Sequence, residues 1–347
     1  MNFFSRIIHS LNHSVGIDLG SSNIRIWVEG RGLIIDEPSL VAVDQTNNKV
    51  MAVGKQAARM LGRVDDSIKV FSPIACPKFT DEELLKAMLK MFLAKAGDQV
   101  YFFSPTAIAS ISDSFYPSMK DILVKVLVEI GAGEVMLVDQ TLASVLGAGA
   151  PISDSFGLFV LQMGEGVVEA SAISLGKVVR SQSSFMAGSS LINELVYWFT
   201  VNQKLTITQT LARKVLIQIG SLVKDSKRSI NISGLDVKTG EPSERIVFAS
   251  ELESIFAEYG LTYVNLVKKL LSSISPDLTV DVLDKGLLLS GGLANLHGIE
   301  DYLSKELCVP VSVVDEPDLT AIRGVGVVID HLDEFRQSIG YQQTQNS

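Results

Sequence analysis

A chain of 347 residues has room for two ordinary domains. An apolar share of 47% points to large cores, and a net charge of −9 with no long basic block argues against nucleic acid as the main partner. Every stretch of eighteen residues contains a charge, which excludes a membrane-spanning helix, while two cysteines outside any CxxC pair (Cys76, Cys308) and four scattered histidines disfavour a disulfide framework or zinc site and suit a reducing cytoplasm.

The first dozen residues place Phe3, Phe4, Ile7, Ile8 and Leu11 at i, i+1, i+4, i+5 and i+8, one apolar stripe on a helix, with Ser5, Arg6, His9 and Asn12 opposite. Neither the long apolar core nor the cleavage site of a signal peptide is present. Two readings stand: a helix lying in a membrane interface, or one packed on the protein's own surface.

From Val15 the pattern alternates. Val15, Ile17 and Leu19, then Ile24, Ile26 and Val28, flank a Gly20-Ser21-Ser22 turn and predict a β-hairpin. Short strands follow at Leu33–Ile35 and Leu40–Val43. A helix is expected over Asp81–Ala96, opened by a capping box of Thr80 and Glu83. Next come a strand near Val100, a helix over Ser118–Ile130, a strand at Val135–Val138 and a helix over Gln140–Leu146. At Gly157 the opening recurs: with Asp18 over Gln162, an offset of 144 residues, Gly20 falls on Gly164, Gly32 on Gly176, and the apolar positions of the strands coincide. This is the signature of a duplicated domain opening. Helices at Ser189–Thr200 and Thr208–Val223, β runs at Ser229–Leu235 and Glu244–Phe248, and a helix over Tyr259–Ser273 lead to a buried strand, Gly286–Leu289. That strand passes through Ser290-Gly291-Gly292 into a helix over Ala294–Leu307. Arg336–Ser347 is a polar tail. Strands alternating with helices predict an α/β architecture.

Three glycine turns end strands: Gly20-Ser21-Ser22-Asn23, Gly164-Glu165-Gly166 and Gly291-Gly292. Such turns let backbone N–H groups approach phosphate oxygens. Two related hairpins facing each other would hold a β,γ-phosphate, with Asp18 holding Mg²⁺ through water.

Gly16-Ile17-Asp18-Leu19-Gly20-Ser21-Ser22-Asn23 resembles the first phosphate loop of the actin, sugar-kinase and chaperone ATPase superfamily. The continuation is similar to the MreB-type bacterial actins at Val28-Glu29-Gly30-Arg31-Gly32, Glu37-Pro38-Ser39-Leu40-Val41-Ala42-Val43, Ala52-Val53-Gly54, Leu142-Ala143, Gly147-Ala148-Gly149, Ile219-Gly220-Ser221 and Gly286-Leu287-Leu288-Leu289-Ser290-Gly291-Gly292. The resemblance runs from about Val15 to Asp330. It implies an actin fold, two ribonuclease-H-like domains around a nucleotide cleft: domain I at 1–145 plus 319–335, domain II at 146–318, and the tail at 336–347. It also implies ATP and Mg as cofactors and homopolymer filaments. The further partners implied are the inner face of the cytoplasmic membrane and cell-wall or shape-complex membrane proteins.

Departures from the family pattern bear on the site. The second phosphate loop, Asp-Ile-Gly-Gly-Gly-Thr-Thr-Glu in the family, is here Gln162-Met163-Gly164-Glu165-Gly166-Val167-Val168-Glu169. An acidic metal partner becomes an amide, two hydroxyls become isopropyls, and Glu165 brings a negative charge worth about 4 kcal/mol against a phosphate charge ~4 Å away. The family's Gly-Gly-Asp is Ala187-Gly188-Ser189, its Glu-Glu-Ile-Lys facing the nucleoside is Arg213-Lys214-Val215-Leu216, and its third glycine near the adenine is Leu293, followed by Ala294. The water-orienting glutamate falls on Gln140, which would orient an attacking water without acting as a base, or else is an ordinary first residue of a helix. The family's membrane-facing loop is shortened to Gly97-Asp98-Gln99, and the run Val100-Tyr101-Phe102-Phe103 reads as a buried strand. The expected function is a membrane-apposed filament protein of cell-shape determination, cytoplasmic, with ATP as assembly ligand and slow hydrolysis at most. Its rivals are a nucleotide-independent scaffold, a monomeric actin-like adaptor and a small-molecule kinase of the same superfamily.

Overall fold

The computed structural model describes residues 14–97, 105–152 and 156–338. The chain forms two compact units, one of Met1–Ser155, Ile173–Val178 and Leu319–Ser347, the other of Phe156–Ala172 and Val179–Asp318. The apolar stripe at Phe3, Phe4, Ile7, Ile8 and Leu11, the strand expected near Val100 and the end of the polar tail lie outside the described residues.

In chain order the first unit contains β1 (Val15–Leu19), β2 (Asn23–Val28), β3 (Gly32–Pro38), β4 (Val41–Asp44), β5 (Lys49–Val53), α1 (Lys55–Met60), β6 (Ile68–Phe71), β7 (Ile74–Ala75), β8 (Lys78–Phe79), α2 (Glu82–Ala96), β9 (Thr106–Ile111), α3 (Pro117–Glu129), β10 (Glu134–Asp139) and α4 (Gln140–Gly147). Its main sheet runs β10-β9-β1-β2-β3. β1 is buried along its whole length because it lies inside the sheet, antiparallel to β2 and parallel to β9. Against the sheet α2 buries Leu85, Met88, Leu89 and Phe92, the i, i+3, i+4, i+7 stripe of an amphipathic helix.

The second unit contains β11 (Leu158–Met163), β12 (Val168–Ser174), β13 (Lys177–Ser184), α5 (Gly188–Asn202), β14 (Leu205–Thr206), α6 (Gln209–Ile219), β15 (Ser229–Asp236), β16 (Pro242–Phe248), α7 (Glu253–Leu271), α8 (Pro276–Lys285), β17 (Leu287–Ser290), α9 (Ile299–Leu307) and β18 (Val311–Val313). Its main sheet runs β13-β12-β11-β17-β18, with β11 parallel to β17 and β17 parallel to β18. This is the order of the first unit repeated, strand for strand, with the 144-residue offset relating β1–β3 to β11–β13. α10 (Thr320–Asp330) and α11 (Leu332–Ser338) return to the first unit.

That return is held by the closest helix contact in the unit. A Cβ on Gly147 of α4 would sit 1.8 Å from the Thr320 carbonyl oxygen, and one on Gly324 of α10 would sit 1.7 Å from that of Ala143. The two backbones touch with no side chain between them.

The structure moves several expected boundaries. The cap of α2 is Asp81, whose carboxylate accepts the Leu84 N–H at 2.9 Å, not a Thr80/Glu83 box; an ionised acceptor suits a helix N-terminus better than a hydroxyl. α6 stops at Ile219 rather than Val223, because Gly220 caps it and Ser221 and Leu222 pair with His297. The helix expected over Ala294–Leu307 breaks into a 3₁₀ turn at Gly292–Asn295 and α9, with Gly298 at φ 77° between them. α7 begins at Glu253, ahead of Tyr259, and α8 was not anticipated.

Candidate functional site

The first glycine turn is closed by the Gly20 N–H, which donates to the Asn23 carbonyl at 3.1 Å; a Cβ on Gly20 would lie 2.6 Å from that oxygen. The Ser39 hydroxyl donates to the Gly20 carbonyl at 2.6 Å and its N–H to the Ser22 carbonyl at 2.8 Å, so the residue after β3 braces the turn. One residue before the end of β1, Asp18 is 2% exposed. Its Oδ1 accepts from Ser110 Oγ at 2.7 Å and Gln140 Nε2 at 2.9 Å, and its Oδ2 faces Arg25 Nη1 at 3.5 Å. Arg25 Nε lies 3.2 Å from Asp36 Oδ1, which also accepts from Asn23 Nδ2 at 2.7 Å. The side chain of Asn23 is thus turned onto β3, and Ser22 Oγ donates to its Oδ1 at 3.1 Å. Ser21 and Ser22, both half-buried, remain at the mouth of the turn.

This arrangement does not fit the metal role expected of Asp18. Two donors fill one carboxylate oxygen, and the other faces the Arg25 guanidinium at 3.5 Å, so a metal-bound water at that oxygen would meet a cation. Among the described residues no group of three or more His, Cys, Asp or Glu is arranged to hold a metal ion. Gln140 lies beside Asp18, to which its Nε2 donates a hydrogen bond. It is placed by the start of α4, where the carboxylate of Asp139 accepts the N–H groups of Thr141 at 2.8 Å and Leu142 at 3.2 Å.

The second turn repeats the first. Gly164 N–H donates to the Val167 carbonyl at 3.0 Å, and a Cβ on Gly164 would lie 2.8 Å from that oxygen. The N-terminus of α5 meets this turn, but its N–H groups are engaged by the turn itself: Gly188 donates to Gly164 O at 3.2 Å and Ser189 to Glu165 O at 2.8 Å. Gly188 therefore braces the loop, and its N–H is not available to a ligand. Glu165 does not leave an uncompensated charge beside the loop. Both its oxygens are gripped by the two terminal nitrogens of Arg213 on α6, a bidentate pair. Of the residues expected beside the nucleoside, Lys214 is exposed while Leu216 is buried on the inner face of α6. The side chains of Val167 and Val168 are in the core, as is Gln162 at the end of β11.

At the third turn Gly291 has φ 87°, donates its N–H to Pro317 O at 2.6 Å, and would clash with the Met163 backbone if it carried a Cβ. Gly292 is exposed, whereas Leu293 and Ala294 are buried, so only backbone is offered at this point. The sequence reading missed Arg25, although the tight hairpin already sets Arg25 opposite Asp18. It also missed Ser110, which only the parallel pairing of β9 with β1 brings there.

The family model described as "MreB/Mbl protein" matches residues 12–337. The chain is 32% identical to the cell shape-determining protein Mbl of Bacillus subtilis over 323 residues, 92% of this chain and 97% of that one. It is 28% identical to the cell shape-determining protein MreB of Escherichia coli K12 over 328 residues, 93% and 94% of the two chains. Among solved structures, MreB5 of Spiroplasma citri bound to AMPPNP superposes with a TM-score of 0.89 at 25% identity, covering 95% of this chain and 99% of that one. The same protein bound to ADP gives 0.89, covering 94% and 98%. The MamK double helical filament gives 0.76 at 16% identity, covering 92% and 99%, a likeness of fold alone.

Proposed function

The chain belongs to the MreB/Mbl protein family, and from that premise we propose that it is an actin-like, cell-shape filament subunit whose glycine turns take the phosphates of a nucleotide, ATP foremost, as an assembly ligand. The observation that carries the reading is the repeated turn. Gly20 and Gly164, at matching positions of two sheets with the same strand order, each close the turn with an N–H···O bond to the third residue on. At both, a Cβ would strike the closing carbonyl, so only glycine permits this tight turn, the kind whose backbone can approach phosphate oxygens. One solved structure of similar fold, MreB5 of Spiroplasma citri, is bound to AMPPNP and another of the same protein to ADP. Hydrolysis is slow at most, because Gln140 is no general base and is tethered to Asp18. The stripe at Phe3, Phe4, Ile7, Ile8 and Leu11 gives the filament its hold on the inner face of the cytoplasmic membrane, where shape-complex membrane proteins are its further partners.

The Glu165–Arg213 pair favours a second reading, a filament that needs no nucleotide, since each group occupies what the other would offer a ligand. Pelleting and negative-stain microscopy of the purified full chain with ATP, with ADP and with neither separate the two. Polymer that appears only with nucleotide supports the first reading. Equal polymer in all three supports the scaffold, and no polymer in any overturns both.

A further inference from the structure

Asp18, Arg25 and Asp36 stand directly opposite one another on β1, β2 and β3. A row of acid, base and acid crosses three neighbouring strands, with the guanidinium between the two carboxylates. The side chains of Asp18 and Arg25 are 3% and 11% exposed, so neither charge is solvated and each requires the other. Asp36, at 38%, faces Arg25 Nε from the outer strand at 3.2 Å, an ion pair without a hydrogen bond.

We infer that Arg25 supplies, from within the chain, the positive charge that a divalent cation would bring to Asp18, so that the first glycine turn takes a nucleoside triphosphate without Mg²⁺. The inference rests on the reading of that turn as a nucleotide site. A magnesium ion held through water needs a carboxylate oxygen to accept from one of the ion's waters, and it gives up its octahedral shell reluctantly. Oδ1 of Asp18 is filled by Ser110 and Gln140. Oδ2 is the oxygen left, and a metal approaching it meets a cation already in place. In the second hairpin the position matching Asp18 is Gln162, an amide that carries no charge. Unlike a metal, the guanidinium is part of the chain and is not removed by chelators. It partly offsets the charge of Asp18 beside the turn, the excess of the row lying on Asp36 at the outer strand, so an incoming phosphate does not meet a bare buried carboxylate.

Calorimetric titration of the full chain with ATP, once in millimolar MgCl2 and once in excess EDTA, tests this. The wild-type Kd is expected to agree between the two buffers within about twofold. Arg25→Met keeps the length of the side chain without its charge and is expected to bind ATP at least about tenfold more weakly in EDTA than in Mg²⁺. Arg25→Lys keeps the charge and is expected to keep the ratio near one. A wild-type Kd that rises about tenfold or more in EDTA overturns the inference and leaves the nucleotide reading intact; so does Arg25→Met binding equally in both buffers. If Arg25→Met does not fold, the wild-type ratio and Arg25→Lys decide. Absence of ATP binding by wild-type protein in either buffer overturns the nucleotide reading, and the inference with it.

Discussion

Glu165 illustrates how one partner reverses the meaning of a residue. Its sequence position sets a negative charge against a phosphate, yet Arg213, forty-eight residues further on, binds both its oxygens. Changing Glu165→Gln removes that charge and releases the guanidinium towards an anion. ATP affinity should rise about tenfold or more, equivalent to about 1.4 kcal/mol, a fraction of what a close charge pair can supply. Arg213→Gln should lower it. Fluorescent-nucleotide titrations of both variants check the pair, and unchanged affinity in both would remove it from the site. Restoring hydroxyls by Val167→Thr and Val168→Thr is the poorer route, since Val168 is fully buried and an unpartnered hydroxyl there costs about 1–3 kcal/mol. Some of the site was legible in the residues themselves: the glycines of both turns, and Asp18 at the end of β1. Arg25 was also within reach, because hairpin register alone sets it opposite Asp18. The grip of Arg213 was not, because it depends on where α6 lies against a loop far away in the chain.

At the scale of elements, local chemistry was readable where it ends in the same turn and obscure where it answers a distant neighbour. α8 opens with Ser275-Pro276-Asp277, a start signal in plain view, and Ser275 Oγ accepts the Leu278 N–H. The break before α9 was hidden, because Gly298 makes room for Val223, whose side chain lies 2.6 Å from where a Cβ would be. α4 offers the test at this scale. Burial, the largest influence on Asp139, pushes its carboxyl above the usual range despite the N–H and hydroxyl donors around it. A carboxyl raised in the folded state contributes stability below its unfolded pKa and loses it as pH rises through the folded value, so the ionised form is a burden at neutral pH. Asparagine keeps the capping acceptor without the charge. Asp139→Asn should therefore melt at or above wild type at pH 7 and gain less than wild type on going from pH 7 to 5. Asp139→Ala should lose about 1 kcal/mol. Thermal melts at both pH values decide; Asn falling as far as Ala at pH 7 would mean that the ionised cap is the form the helix needs.

For the whole molecule, the duplicated opening was the most informative sequence signal, since one offset relates the first three strands of two sheets that share one strand order. The apolar stripe of the first dozen residues carries the remaining whole-chain prediction. Five large apolar side chains, at about 1.5–3 kcal/mol each, suffice for attachment to a bilayer surface. Deleting residues 2–12 should abolish co-sedimentation with anionic liposomes while leaving polymer formation intact; a truncated protein that still pellets with vesicles would assign the stripe to the protein's own surface. The glycine contact between α4 and α10 has a consequence for biosynthesis. A growing polypeptide ordinarily completes its N-terminal domain first. Here the strands of the first unit's main sheet have all emerged by Asp139, but the helix that lies backbone to backbone on α4, and whose Val325 covers Gly16 of β1, is translated only after the whole inserted unit. The ribosome thus delivers the second unit as a finished body while the first still waits for its last helix, and a nascent chain arrested before Thr320 carries a complete sheet with one bare face.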